Sequence, residues 1–266
     1  MARKGTELKL GVETLEARTV LNATVTLGAA GQGLAIAAAV DNGNDTIKVF
    51  TVGGKVHITD TGVLTLNNLG PNANVVSHTK HTIVLAKGVG GGDLTIAAGQ
   101  ADKVTIGKGL VAGKPSLTVG GDLTINTAGK AAVTLNGVAV NGETNVNLNG
   151  VSSKAANLTI TKSHLGLKAE IDTTGSNLVN ITSTKFGGDV TYKGAVGNNG
   201  GVDVVATKGD TFFGKVNVNT GADNDKVIAV TDFFGKQVTL NGGTGTNTLT
   251  NTGNNFQQNP VIVNFA

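Results

Sequence analysis

The chain has 266 residues, of which 40 are glycine and 3 proline, with no cysteine, no tryptophan, 1 tyrosine and 8 phenylalanines. The lack of cysteine excludes a disulfide framework, a thiolate metal site and a thiol nucleophile together. Lysine and arginine number 21 against 18 acids, a formal charge of +3, and no basic run or basic and aromatic stripe supplies the phosphate contacts of a nucleic-acid binder.

The first 18 residues contain both arginines, Arg3 and Arg18, and three of the five glutamates, Glu7, Glu13 and Glu16. Residues 1–22 therefore read as a segment separate from the body, residues 23–266, which reads as one domain. Glu13, Leu15, Glu16, Arg18 and Leu21 stand in the arrangement E-x-L-E-x-R-x-x-L. This resembles the N-terminal segment of many large secreted and surface proteins of planctomycete bacteria, over about the first 23 residues. The resemblance implies an export or surface-sorting role and an extracellular or cell-surface location. A second reading of the same segment is a terminal cap, with Leu8, Leu10, Leu15 and Val20 packed on the first coil. No run reaches the ~20 apolar residues that span a bilayer.

Residues 24–90 are the less regular part of the body. From about residue 90 an apolar-polar-apolar triplet recurs: Leu94-Thr95-Ile96, Val104-Thr105-Ile106, Leu117-Thr118-Val119, Leu123-Thr124-Ile125 and Val133-Thr134-Leu135. It continues through Val146-Asn147-Leu148, Leu158-Thr159-Ile160, Val179-Asn180-Ile181, Val190-Thr191-Tyr192, Val202-Asp203-Val204, Val216-Asn217-Val218 and Val238-Thr239-Leu240. Strict alternation predicts strands with one buried face. Steps of 11 or 12 residues separate many triplets, and two steps predict a coil of about 22 residues, within the range of solenoid repeats.

Longer echoes support the coil. Phe212-Phe213-Gly214-Lys215 returns as Phe233-Phe234-Gly235-Lys236, and Gly91-Gly92-Asp93-Leu94-Thr95-Ile96 returns as Gly120-Gly121-Asp122-Leu123-Thr124-Ile125. The body thus resembles the parallel β-helix, or β-solenoid, surface proteins, an all-β fold whose coils bury Leu, Ile and Val only by stacking. The rival arrangement is one or two antiparallel β-sandwiches, which share the strand spacing.

Several groups invite a site reading. His78 and His81 form H-x-x-H but lack a helical pattern and a nearby carboxylate, which favours a polar loop, while His57 and His164 are isolated in strand-like segments. Asp41-Asn42-Gly43-Asn44-Asp45 and Gly221-Ala222-Asp223-Asn224-Asp225 resemble the calcium-binding glycine and aspartate repeats of secreted toxins. In Gly242-Gly243-Thr244-Gly245-Thr246-Asn247-Thr248-Leu249, however, Asn247 replaces an expected aspartate. Asx turns at solenoid corners explain all three stretches, so no cofactor is expected and calcium stands as a subsidiary reading.

Parallel β-helix enzymes of acidic polysaccharides use clustered Asp with Lys or Arg, yet no arginine follows Arg18, and Asp189, Asp203 and Asp210 show no pairing in the sequence. Tyr192 is the single tyrosine, which leaves few sugar-stacking platforms. Columns of outward threonine also suit ice binding, but Asn147, Asn180, Asp203 and Asn217 interrupt them. The leading expectation is a non-enzymatic extracellular structural protein, a self-assembling fibre or layer subunit or a rigid adhesin-like domain. Its expected partner is another copy, joined end to end, with the segment Asn259–Phe265 closing the C-terminal end. A carbohydrate-binding or polysaccharide-active β-helix is the alternative, with surface polysaccharide as partner, and a calcium-stabilised secreted domain the second.

Overall fold

The computed structural model describes residues 22–27, 33–38, 45–68, 75–86, 92–149, 156–195 and 202–266. Residues 1–21, and with them the export or capping segment, lie outside the described residues. Among the described residues every regular element is a strand. None is a helix long and apolar enough to cross a membrane.

The strands stack as a parallel β-solenoid of about six turns. A coil has three strands, one on each of three faces, as in Leu123–Ala128, Ala132–Asn136 and Val138–Val140. The first and second faces are sheets of 11 strands and the third is a sheet of 7. On the first face Leu94 pairs with Leu123, an offset of 29, and the following offsets are 21, 25, 21, 26, 22 and 22. The coil of about 22 residues is the unit, and longer coils carry extra residues at corners. The first such insertion is the hairpin Leu110–Val111 and Lys114–Pro115, between the second and third faces.

The core is a set of inward columns of like residues, because in-register parallel stacking puts equivalent side chains about 4.8 Å apart. On the first face Ile96, Ile125, Val146, Ile171, Tyr192, Val218 and Leu240 form one buried column. On the third face the column begins Val119, Val140, Leu165 and then changes to Phe186, Phe212, Phe234 and Phe256. These four rings stack with centroids 4.8, 4.9 and 4.8 Å apart and planes within 8°. The facing second-face column shrinks over the same coils, from Ile181 to Thr207 and Ala229. Large and small residues are thus exchanged across the interior, which offsets much of the change and leaves an apolar cavity of about 40 Å³ between the columns, lined by Thr207, Phe212, Ala229 and Phe234.

Two sequence expectations change in register. The phenylalanine echo is offset by 21 in sequence, but Phe212 pairs with Phe234, an offset of 22. Phe212 and Phe234 are buried, while Phe213 is 51% exposed. The triplet Val202-Asp203-Val204 has the opposite phase to the others: Asp203 points inward and Val202 is 50% exposed.

The less regular part of the chain is where antiparallel pairing occurs, but its strands extend the solenoid's own sheets and form no separate sandwich. Thr46–Val52 and Lys55–Thr59 form a hairpin through Gly53 and Gly54, both at positive φ as a tight two-residue turn demands. Thr82–Leu85 and Val75–Thr79 extend the same sheet antiparallel, and Asn22–Leu27 pairs antiparallel with Leu34–Ala38. All continue the first and second faces, so the body is one stack whose N-terminal end is turned over by reversed strands. The other end differs from expectation. Val261–Val263 pairs only with Val238–Asn241, and Val261, Ile262 and Val263 remain 40–48% exposed, so this strand extends the first face without covering the core.

Corners need a left-handed residue at each coil. Between the second and third faces that position is Gly137, Lys162, Ser183, Gly209, Thr231 and Gly253, all with φ between 50° and 67°. Glycine is relaxed there, whereas a β-branched residue is strained by roughly 1–2 kcal/mol. Thr231→Gly is therefore expected to stabilise the fold by about 0.5–1 kcal/mol after the entropic cost of glycine, read from thermal or urea unfolding.

Candidate ligand groove on the third face

The carboxylates singled out in the sequence go to three different corners. Asp189 lies at the exposed corner between the third and first faces, where its Oδ1 accepts the Lys215 amide at 2.7 Å. Asp203 is buried between the first and second faces, and Asp210 is buried between the second and third. They do not converge. Each buried one stacks instead on the aspartate one coil away. The Asp203 amide donates to Asp225 Oδ1 at 2.9 Å and the Asp225 amide to Asn247 Oδ1 at 2.8 Å. At the other corner Thr184, Asp210 and Asp232 donate their amides to the Oδ1 of Asp210, Asp232 and Asn254 at 2.6, 2.8 and 2.7 Å.

These ladders answer the calcium reading. Calcium needs six to eight oxygens converging on one point, whereas Asp225 and Asn247 spend an oxygen on the backbone of the coil before them. These bonds run to the neighbouring coil and not to the residues' own backbone, so Asp225 and Asn247 form a ladder in place of the expected Asx turns, and Asn247 fits that column as well as an aspartate does. Gly243 permits the approach of these coils, since a Cβ there would lie 1.6 Å from the Gly221 carbonyl oxygen. Residues 41–44 of the other motif lie outside the described residues, and Asp45 is buried with its amide on Asp102 Oδ1 at 3.1 Å. Among the described residues no group of three or more His, Asp and Glu is arranged to hold a metal ion.

Burial raises the pKa of the ladder carboxyls. Asp203 is pushed up to about 6 by desolvation, against hydrogen bonds from Tyr192, Asn177 and Thr173, with the Asp225 charge adding to the rise. Desolvation pushes Asp210 up to about 7, and raises Asp225 and Asp232 as well. Asp60, beside Asp45 and Asp102 near the N-terminal end, is likewise pushed up to about 6, chiefly by burial. Tyr192 is itself buried, its hydroxyl donating to Asp203 Oδ2 at 2.7 Å, so it is no sugar platform.

His78 and His81 lie on the strand and turn of a hairpin, and their rings bond the carbonyls of Leu64 and Gly62 rather than a shared ion. His57 stacks on Phe50, whose ring lies 3.9 Å from the Lys108 ammonium. His164 has a different setting. Its strand, His164–Leu165, turns Leu165 inward and His164 outward onto the third face.

There the inserted hairpin overhangs the sheet and leaves an open groove of about 560 Å³. Leu110 and Pro115 form its hairpin side, and Lys162, His164, Ser183 and Lys185 its sheet side. Lys162 and Ser183 come from the left-handed corner column, and His164 and Lys185 are register partners on adjacent coils. In sequence these residues are scattered among isolated lysines, and only the coil register brings them together. The later strands of the third face are two residues long and show no triplet, so alternation in the sequence does not disclose them. No protein-family model matches this chain, and no curated protein or solved structure is detectably similar to it.

Proposed function

We propose that the chain is a non-enzymatic structural protein of the cell exterior, a rigid rod that associates end to end as a fibre or layer subunit and displays its lateral faces in the manner of an adhesin. The observation that carries this reading is that both ends of the described stack present strand edges. Val63–Asn68, Val75–Thr79 and Leu117–Val119 are the outermost strands of the three faces at one end, and Thr248–Thr252, Asn255–Phe256 and Val261–Val263 at the other. Among the described residues no further strand pairs with these edges, and with Val261, Ile262 and Val263 exposed they are a template for pairing with another copy. Contact between unlike ends gives an open filament, while contact between two last coils closes as a dimer. The segment of residues 1–22, through its resemblance, supplies the extracellular location.

Electron microscopy and sedimentation of the purified chain test the proposal. Filaments, with assembly that grows with protein concentration and is lost in Ile262→Lys, are the expected result. The Ile262 side chain is already 40% exposed, so lysine there leaves the stack beneath it intact. A wild-type chain that stays monomeric at every concentration and ionic strength overturns it.

A further inference from the structure

We infer that the third-face groove and the aromatic pair beyond it bind a linear acidic glycan, with Lys162 and Lys185 on its anionic groups and Phe233 and Phe213 against its sugar rings. This goes beyond end-to-end association and does not depend on it.

The charges come first. The ion pairs among the described residues join Lys168 and Lys193 to Glu170 and Asp172 on the first face. Lys162 and Lys185 have no carboxylate within ion-pair distance among the described residues, so their charges are open to a ligand. The backbone is the second observation. Lys162 and Ser183 hold φ of 50° and 54° in a corner column that uses glycine at residues 137, 209 and 253 and threonine at 231. That column carries the Lys162 and Ser183 side chains to the groove wall.

Register supplies the third. His164, Lys185, Thr211 and Phe233 are successive partners along the outward face, spaced about 4.8 Å apart. A ligand lying parallel to the solenoid axis meets an imidazole, an ammonium, a hydroxyl and an aromatic ring in turn, over roughly 14 Å. Phe213, 51% exposed, meets Phe233 edge to face with centroids 6.5 Å apart, which widens the apolar platform. Cation followed by hydroxyl and aromatic group matches a polymer with an anionic group on an otherwise hydroxylated, C–H-faced ring. Nucleic acid fits less well, since two lysines neutralise too few phosphates and the net charge is only +3.

Calorimetric titration of the full chain with polygalacturonate, dextran sulfate, neutral galactan and oligothymidylate tests the assignment. Binding of at least one acidic glycan and not of galactan is expected, and a preference between carboxylate and sulfate polymers identifies the anionic group. Lys162→Gln with Lys185→Gln is expected to weaken binding about tenfold or more, and Phe233→Ala about threefold, with melting temperatures unchanged. Lys226→Gln, on the second face, serves as the control and leaves affinity unchanged. Equal binding of galactan, wild-type affinity in the double lysine variant, or tighter binding of oligothymidylate than of either acidic glycan each overturns the inference.

Discussion

The melting temperature of this chain is expected to rise by about 10 °C or more as pH falls from 8.5 to 4.5, the reverse of ordinary acid denaturation. The cause is the pair of buried aspartate ladders. Asp203 and Asp225 are each 1% exposed, as is Asp232, and Asp210 is 2% exposed. No ammonium or guanidinium stands against them among the described residues. Around Asp203 lie Tyr192, Thr173 and Asn177, with Asp225 on the next coil, while Asp210 and Asp232 face each other's charge. Ionising them all would bury like charges one coil apart.

A carboxyl whose pKa is higher folded than unfolded holds more protons in the folded state at intermediate pH. Stability therefore falls as pH climbs from about 4, the unfolded value, through the folded values of about 6 for Asp203 and about 7 for Asp210, and is flat above. Asp203 and Asp210 together are worth about 5 kcal/mol between pH 4.5 and 8.5, and a chain of this size melts about 2–4 °C higher per kcal/mol, so 10 °C is the lower end of the expected rise. Glu170 opposes the trend, its pKa lowered by Lys168 and Lys193, but that pair is solvent-screened and contributes little. Calorimetry across pH 4.5–8.5 decides; a melting temperature that rises with pH would mean the ladders are ionised and compensated.

Two variants separate the carboxyls. Asp225→Asn keeps Oδ1 on the Asp203 amide and turns its new amide toward Thr220, whose hydroxyl already donates to the Gly242 carbonyl at 3.1 Å and can accept. Asn247 occupies the same column, so asparagine fits there. This variant is expected to gain about 1 kcal/mol at pH 8 and to flatten the pH profile. Asp203→Asn is expected to lose about 1–3 kcal/mol, because Tyr192 and Thr173 donate to one oxygen and Asn177 to the other.

The same residues show what the sequence reveals and what it hides. Alternation at Leu123-Thr124-Ile125 or Leu158-Thr159-Ile160 discloses strand, buried face and coil length, because an aliphatic pair flanking threonine has one sensible orientation. At Val202-Asp203-Val204 the same rule fails: a ladder column whose carboxylates accept from the preceding coil outranks hydrophobicity, and the valines turn outward. The lysine groove was invisible for a different reason. Lys162 and Lys185 are 23 residues apart and become neighbours only once Ser163, Thr184 and Asp210 are known to share a corner. Coil lengths of 21, 25 and 26 hide that register from a fixed-period reading.

Phe212→Ala is expected to destabilise the fold by about 3–5 kcal/mol, which lowers the melting temperature by roughly 10 °C or more. Phe212 is 2% exposed and lies between Phe186 and Phe234, with ring centroids 4.8 and 4.9 Å away, so truncation opens a cavity and breaks two stacked pairs at once. Collapse cannot fill the space cheaply, because the opposing residues on these coils, Thr207 and Ala229, are already small. Phe212→Leu should recover most of the loss, since Leu165 occupies the same column two coils earlier. Phe213→Ala, on the outward side of the same strand end, should change stability by no more than about 0.5 kcal/mol. Equal losses at Phe212 and Phe213 would contradict the register in which Phe212 meets Phe234. A large loss at Phe212 alone would confirm that the aromatic column is the inner wall of the third face, the wall whose outer side carries Lys185, Thr211 and Phe233.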